Sequence, residues 1–224
     1  MRTDRARVVP AASDLPPGTW PWLHEVARWI GRWWFRPFFR VRWHCRESIP
    51  ASGPVVLVSN HSTLVEGPLL FGMLGRHAVF LVKRELFRGP VGWGLLRIGQ
   101  LPVRRGTPDR APLLAALDVL RAGGLIAVFP EGTRGTGEVR AAHHGAAWLA
   151  RSTGAAVLPV VCRGTHRPDR NRRRWRPRVD VLVGETLSIP AGGGRAGLTA
   201  ATETIRAALA GMVRELDEVR SNTT

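Results

Sequence analysis

The 224 residues contain no tyrosine and a single lysine, Lys83. The two cysteines, Cys45 and Cys162, lie far apart and form no C-x-x-C pair. Neither a disulfide framework nor a cysteine-rich metal site is supported by that spacing. Long apolar runs are also missing. Val55–Val58, Ala78–Val82 and Leu125–Pro130 are the longest, far short of the roughly 20 residues a transmembrane helix needs. The stretch from Met1 to Pro17 is polar and proline-rich, without the apolar centre or small-residue cleavage site of a secretory signal. The expected compartment is therefore the reducing cytoplasm. Acidic residues are scarce: 17 Asp+Glu against 33 Lys+Arg leave a net charge of +16. Such a field favours anionic partners, whether nucleic acid, anionic lipid or phosphorylated substrates.

What is present reads as one globular domain, with 44% hydrophobic and 22% charged residues. Tryptophan reaches nine, and five of these, with Phe35, Phe38 and Phe39, crowd the window from Trp20 to Phe39. At 100° per residue, Trp22, Leu23, Val26, Trp29, Ile30, Trp33 and Trp34 share one arc. Glu25, Arg28, Arg32 and Arg36 lie opposite. Pro21 suits a first helical turn and Pro37 stops the helix. Such a helix either packs its apolar face on a core or lies in a membrane interface, indoles at the acyl boundary and arginines on lipid phosphates. The aromatic density favours the second reading.

Beyond Pro50 the pattern alternates. Short apolar strands are expected at 55–59, 78–82, 100–103, 125–129, 157–161 and 179–183, with helices at 63–74, 89–98, 112–122, 144–153 and 196–216. This predicts an α/β fold, a mostly parallel sheet covered by helices on both faces, with an N-terminal amphipathic helix at the membrane interface. The expected division is a flexible leader over 1–19, the aromatic helix over 20–40 and the α/β domain over 41–220. Between His166 and Arg178, seven arginines surround Trp175, either a solvated loop or a headgroup contact.

Two segments carry candidate chemistry. In Asn60-His61-Ser62-Thr63-Leu64-Val65-Glu66, His61 follows a strand and so sits at a sheet's carboxyl edge, where open α/β sheets bind ligands. Ser62 or Thr63 can cap the next helix, leaving Glu66 able to reach back to the imidazole. A carboxylate there holds one ring nitrogen protonated and frees the other to take a hydroxyl proton. The second segment, Phe129-Pro130-Glu131-Gly132-Thr133-Arg134-Gly135, also leaves a strand. Its glycines admit an anion to backbone amides, and Arg134 can bind a phosphate in bidentate fashion. No Gly-Lys-Ser/Thr follows, so a nucleotide-hydrolysing loop is disfavoured.

In this order and about 70 residues apart, the two segments resemble the glycerolipid acyltransferase family, which acylates glycerol 3-phosphate or 1-acylglycerol 3-phosphate. His61-x4-Glu66 is similar to its His-x4-Asp block, with glutamate for aspartate. Lys83-Arg84-Glu85-Leu86 and Leu101-Pro102-Val103-Arg104-Arg105 resemble its second block, with Arg105 matching the block's arginine. Phe129 to Arg134 matches the third, and Val157-Leu158-Pro159-Val160-Val161 the fourth. Arg104 stands where the family often has an acidic residue, and His143 or His144 where it often has lysine.

The resemblance implies direct transfer of a fatty acyl group from acyl-CoA or acyl carrier protein, as co-substrate, to a lipid hydroxyl. His61 would be the general base and Glu66 its orienting group. Arg105, Glu131, Gly132, Thr133 and Arg134 would hold the acceptor phosphate. No cofactor and no metal are expected; His143 and His144 are adjacent and read as surface residues. The first acceptor expected is 1-acylglycerol 3-phosphate, giving phosphatidate; a lyso-amino-acid lipid or another lysophospholipid is the alternative. The expected setting is peripheral, on the cytoplasmic face of the cell membrane, with Trp22, Trp29, Trp33, Trp34 and Trp175 at an anionic surface. Nucleic acid is not expected as a partner, since it gives no reason for the two motif segments. A lipid-binding relative without activity is the remaining rival.

Overall fold

The structure, a computed structural model, describes residues 14–104, 110–132, 135, 137–165 and 175–222. The order of elements is α1 (Pro21–Trp34), β1 (Arg40–His44), β2 (Val55–Ser59), α2 (Glu66–Met73), β3 (Val79–Lys83), α3 (Gly89–Arg97), β4 (Leu101–Val103), α4 (Arg110–Arg121), β5 (Leu125–Val128), α5 (Gly145–Thr153), β6 (Ala156–Arg163), β7 (Arg178–Val183) and α6 (Gly194–Ser221). The strands form one sheet in the order β1-β7-β6-β2-β5-β3-β4. Five run parallel, β6 against β2 through to β3 against β4. β7 is antiparallel to β6, and β1 is parallel to β7.

Every residue of β2 is buried, as a central strand covered on both faces requires. Its side chains alternate accordingly. Val56 and Val58 enter the core beneath α4, α5 and α6, while Val55 and Leu57 enter the core beneath α2. On α6, Ile205, Leu209, Val213 and Leu216 form the buried stripe expected from the sequence.

Helix α1 departs from the simple core-packing alternative. Its aromatic arc faces outward: Trp22 and Trp29 are 61% and 63% exposed, and Val26, Ile30, Trp33 and Trp34 are exposed with them. The face that packs is a different one, with His24 and Gly31 buried and Ala27 and Phe35 against the α2-side core. Gly31 and Gly72 let α1 and α2 touch at their backbones; a Cβ on Gly72 would stand 2.5 Å from the Gly31 carbonyl carbon.

Residues 14–19, grouped by sequence with a flexible leader, are packed. Leu15 is buried in the core, Asp14 receives a hydrogen bond from His77, and Thr19 donates to the Pro16 carbonyl at 2.6 Å. Strand β1 has no counterpart in the sequence reading. It lies at the sheet edge and is held by the buried Asp180 of β7, which receives bonds from His44 and Arg178 and an ion pair from Arg220 at the end of α6.

Candidate active site

The site is built by neighbouring strands that end on one edge. β2 and β5 pair in parallel with Val58 opposite Val128, so the residues that follow each strand, although 70 positions apart, emerge side by side. The His61 backbone N–H donates to Glu131 Oε1 at 2.8 Å, and the Gly135 N–H donates to the His61 carbonyl at 3.0 Å. The third neighbour is β6, on the other side of β2. Asn60 reaches across to it, accepting from the Cys162 N–H at 2.8 Å and donating to the Cys162 carbonyl at 2.9 Å. Asn60 thus satisfies both backbone polar groups of Cys162, beyond the last paired residue of β2, and pins the chain immediately before His61.

His61 is almost buried, and its ring stacks on Phe129 with centroids 4.2 Å apart and planes 22° from parallel. Nδ1 donates to Glu66 Oε2 at 3.0 Å. Since a carboxylate only accepts, Nδ1 carries a proton in this pair, and in the neutral ring the lone pair is then on Nε2. Glu66 has no solvent exposure, yet both of its carboxylate oxygens are hydrogen-bonded. Oε2 also receives the Ser62 N–H at 2.8 Å and the Thr63 N–H at 3.3 Å, while Oε1 receives the Thr165 hydroxyl at 2.7 Å. Those donors offset the cost of burying the carboxylate. Neither Ser62 nor Thr63 caps α2 through its side chain, as the sequence had suggested. α2 begins at Glu66 itself, whose carboxylate turns back to collect the amides of the preceding turn.

Thr165 belongs to this arrangement and was not singled out from the sequence, and Asn60, which heads the quoted segment, had been given no role there. Their partners lie about a hundred residues away, so no local spacing reports them.

Among the residues expected to hold a phosphate, Arg105, Thr133 and Arg134 lie outside the described residues. Glu131 is present, with one oxygen committed to the His61 amide. Burial pushes its carboxyl above the ordinary range, an effect the His61 N–H partly offsets. Gly132 follows with φ +67°, and the His143 ring lies so near that a Cβ there would stand 2.6 Å from it. At Gly137 a Cβ would collide with Ser62 Oγ, so this turn closes directly on the histidine loop. His143 and His144 are exposed; the His144 ring bonds Thr202 Oγ1 at 2.8 Å and ties α5 to α6. Trp175 is 86% exposed, and Arg176 beside it donates to the Arg36 carbonyl just past α1 at 2.8 Å.

The sequence profile of the Acyltransferase family matches residues 40–163, more than half of the chain. The chain belongs to that family. The 1-acyl-sn-glycerol-3-phosphate acyltransferase of Arabidopsis thaliana chloroplasts is 30% identical over 154 residues, 65% of this chain and 43% of that protein. The Bacillus subtilis 1-acyl-sn-glycerol-3-phosphate acyltransferase is 27% identical over 150 residues, 66% of this chain and 73% of that one. The lyso-ornithine lipid O-acyltransferase of Pseudomonas aeruginosa is 35% identical over 137 residues, 59% and 52% of the two chains. The chain therefore spans less than half the length of the plant relative. Among solved structures, the acyltransferase PlsC of Thermotoga maritima superposes with a TM-score of 0.64 at 24% identity, covering 86% of this chain and 80% of that one. That likeness confirms the α/β architecture. The family match covers β1 to β6, the segment that holds His61, Glu66 and Glu131.

Proposed function

We propose that this member of the Acyltransferase family transfers a fatty acyl group from a thioester, acyl-CoA or acyl carrier protein, to the free hydroxyl of 1-acylglycerol 3-phosphate, giving phosphatidate. The observation that carries the reading is the His61–Glu66 pair, oriented and almost buried, on the strand edge shared with the Glu131 turn.

Nε2 of His61 takes the proton of the acceptor hydroxyl as its oxygen attacks the thioester carbonyl. The carbonyl π pair moves to oxygen, and collapse of the tetrahedral intermediate breaks the carbon–sulfur bond. The thiolate leaves and takes up the proton from the imidazolium. Glu66 fixes the tautomer and stabilises the imidazolium while it lasts. No covalent enzyme intermediate is needed, because the acceptor itself is the nucleophile. Proton transfer of this kind contributes about 10²–10⁴ in rate.

Arg105, Gly132, Thr133 and Arg134 are assigned to the acceptor phosphate. Glu131 is reassigned: a carboxylate repels a phosphate, and its hydrogen bond to the His61 amide suits positioning of the base. The exposed arc of α1 with Trp22, Trp29, Trp33 and Trp34, together with Trp175, is assigned to an anionic membrane interface, in a peripheral setting on the cytoplasmic face. No helix among the described residues is long and apolar enough to cross a bilayer.

A second acceptor, a lyso-amino-acid lipid, is favoured by the similarity to the lyso-ornithine lipid enzyme. The deciding experiment incubates the purified chain with a mixed lysolipid pool and each thioester donor, then identifies products by mass spectrometry. Phosphatidate as the main product supports the first reading. An acylated amino-acid lipid shifts the acceptor, and absence of any acylated lipid with either donor overturns the activity.

A further inference from the structure

A cavity of about 650 Å³ opens where β3 and β4 end, lined by Arg84, Phe87, Arg88, Leu96, Pro102 and Arg104. In the order β2-β5-β3-β4 it lies two to three strands from the end of β2, roughly 10–14 Å along the same edge as His61. Its three arginines are exposed. Glu85 also lines the cavity and lies 3.4 Å from Lys83, whereas among the described residues Arg84 and Arg88 pair with no carboxylate. Arg84 and Arg88 thus stand beside one hollow without a carboxylate partner, and a phosphate seated there would balance their charge.

The rim is apolar and exposed. Val91 and Trp93 on α3 are 65% and 51% exposed, with Leu86 and the cavity's own Leu96 similarly bare. This surface continues into α1. Trp93 meets Trp20 edge-on at 5.5 Å, and Trp20 stacks on Trp22 at 5.8 Å. The Arg97 guanidinium lies 5.0 Å from the Trp20 ring and 5.9 Å from the Trp93 ring. The Trp20 N–H donates to the Arg97 carbonyl at 2.8 Å, so the start of α1 and the end of α3 are held as one piece. A soluble anion has no use for an aliphatic and indole rim, whereas a lipid headgroup with its acyl chains below matches both halves of the surface.

We propose that the Arg84–Arg88–Arg104 cavity binds the phosphate of an anionic phospholipid, and that with α3 it forms a second membrane contact beside α1. The proposal rests on the reading of α1 as an interfacial helix. α3 and the cavity would seat the β3–β4 edge of the sheet on the bilayer, which would set how the site edge meets lipid.

The test is co-sedimentation of the full chain with phosphatidylcholine vesicles, with and without phosphatidylglycerol. An arginine close to an anionic surface is worth roughly 1 kcal/mol, about fivefold in partition. The Arg84→Gln/Arg88→Gln variant is expected to lose about 25-fold on phosphatidylglycerol vesicles and nothing on pure phosphatidylcholine. Arg84→Lys/Arg88→Lys should retain most of the binding, which separates charge from misfolding. Val91→Ser/Trp93→Ser should weaken binding to both vesicles several-fold. Excess glycerol 3-phosphate that displaces the chain from phosphatidylglycerol vesicles would make the site one for free phosphate and overturn the lipid assignment. Unchanged partition of the glutamine variant overturns the proposal, as does an effect confined to the KM for acyl-CoA, which would give the cavity to the donor. Trp29→Ser/Trp33→Ser separates the two readings. If it abolishes binding while the arginine and α3 variants do not, only this proposal fails; if it leaves binding intact, the interfacial reading of α1 fails.

Discussion

Helix α2 is shared by two regions built on opposite terms. At its first residue, Glu66 gathers the His61 loop; near its end, Gly72 receives α1. The loop is over-determined. Asn60 is fixed to β6 by two bonds, the His61 amide to Glu131, the ring to Glu66 and Phe129, and Glu66 in turn to two amides and Thr165. α1 is held by a narrow seam: a backbone contact between two glycines, Phe35 on the core, and the buried His24 whose Nδ1 donates to the Ile98 carbonyl at 2.7 Å. An imidazole that acts as a base needs one geometry, and a loop that buries its polar groups and satisfies them would supply it. A helix that is to meet lipid, as proposed for α1, would need only a seat, with its apolar arc left outside.

Four changes probe that contrast, from the largest effect down. Glu66→Gln places an amide among N–H donors and offers the histidine a donor where it needs an acceptor. In a serine protease triad the equivalent change costs about 10⁴, and kcat for thiol release should fall here by about 10³–10⁴. A fall of less than tenfold would remove Glu66 from the mechanism.

The seam should fail in acid. Burial lowers the His24 pKa to about 4, so the native state holds the ring neutral while the unfolded chain binds a proton below 6.5. Stability is therefore fully present above pH 6.5 and is lost as pH falls towards 4, on the order of 3 kcal/mol in all. Denaturant melts across that window should show the slope in the native chain and a flatter one in His24→Gln. Equal slopes would show that His24 is not what makes the seat sensitive to acid.

Gly72→Ala forces α1 off its contact. Overpacking of this kind costs about 1–3 kcal/mol, read as a lower Tm, and the loss should be larger than for alanine at Gly94, where a Cβ meets nothing within 4 Å. Similar losses at the two glycines would mean that the close approach is not what holds the helix. The smallest effect is expected from Thr165→Val. It removes one of four donors to Glu66, at about 1 kcal/mol, and kcat should fall about fivefold. A loss as large as that of Glu66→Gln would show that the network lacks the redundancy described.

Much of this was readable beforehand where the signal is local. β2 falls on 55–59 as its apolar run requires, and His61 with Glu66 follows from a strand end and a five-residue step. β1 was missed because Arg-Val-Arg-Trp-His is short and half polar, and its partner, β7, lies more than 130 residues away. The seat of α1 was hidden for a related reason. Periodicity located the aromatic arc but not its orientation, which is decided by two glycines and a histidine on the opposite side. Asn60 and Thr165 are single polar residues whose meaning depends on distant backbone and side chains.

The central claim is that His61 is the base in acyl transfer. Thiol release from acyl-CoA with 1-acylglycerol 3-phosphate, measured beside the acylated product for the native chain and for His61→Ala with unchanged far-UV circular dichroism, tests it most directly. Equal amounts of thiol and phosphatidate are expected from the native chain, and a loss of at least about 10²–10⁴ in the variant. Transfer by His61→Ala at a rate within tenfold of the native chain would contradict it.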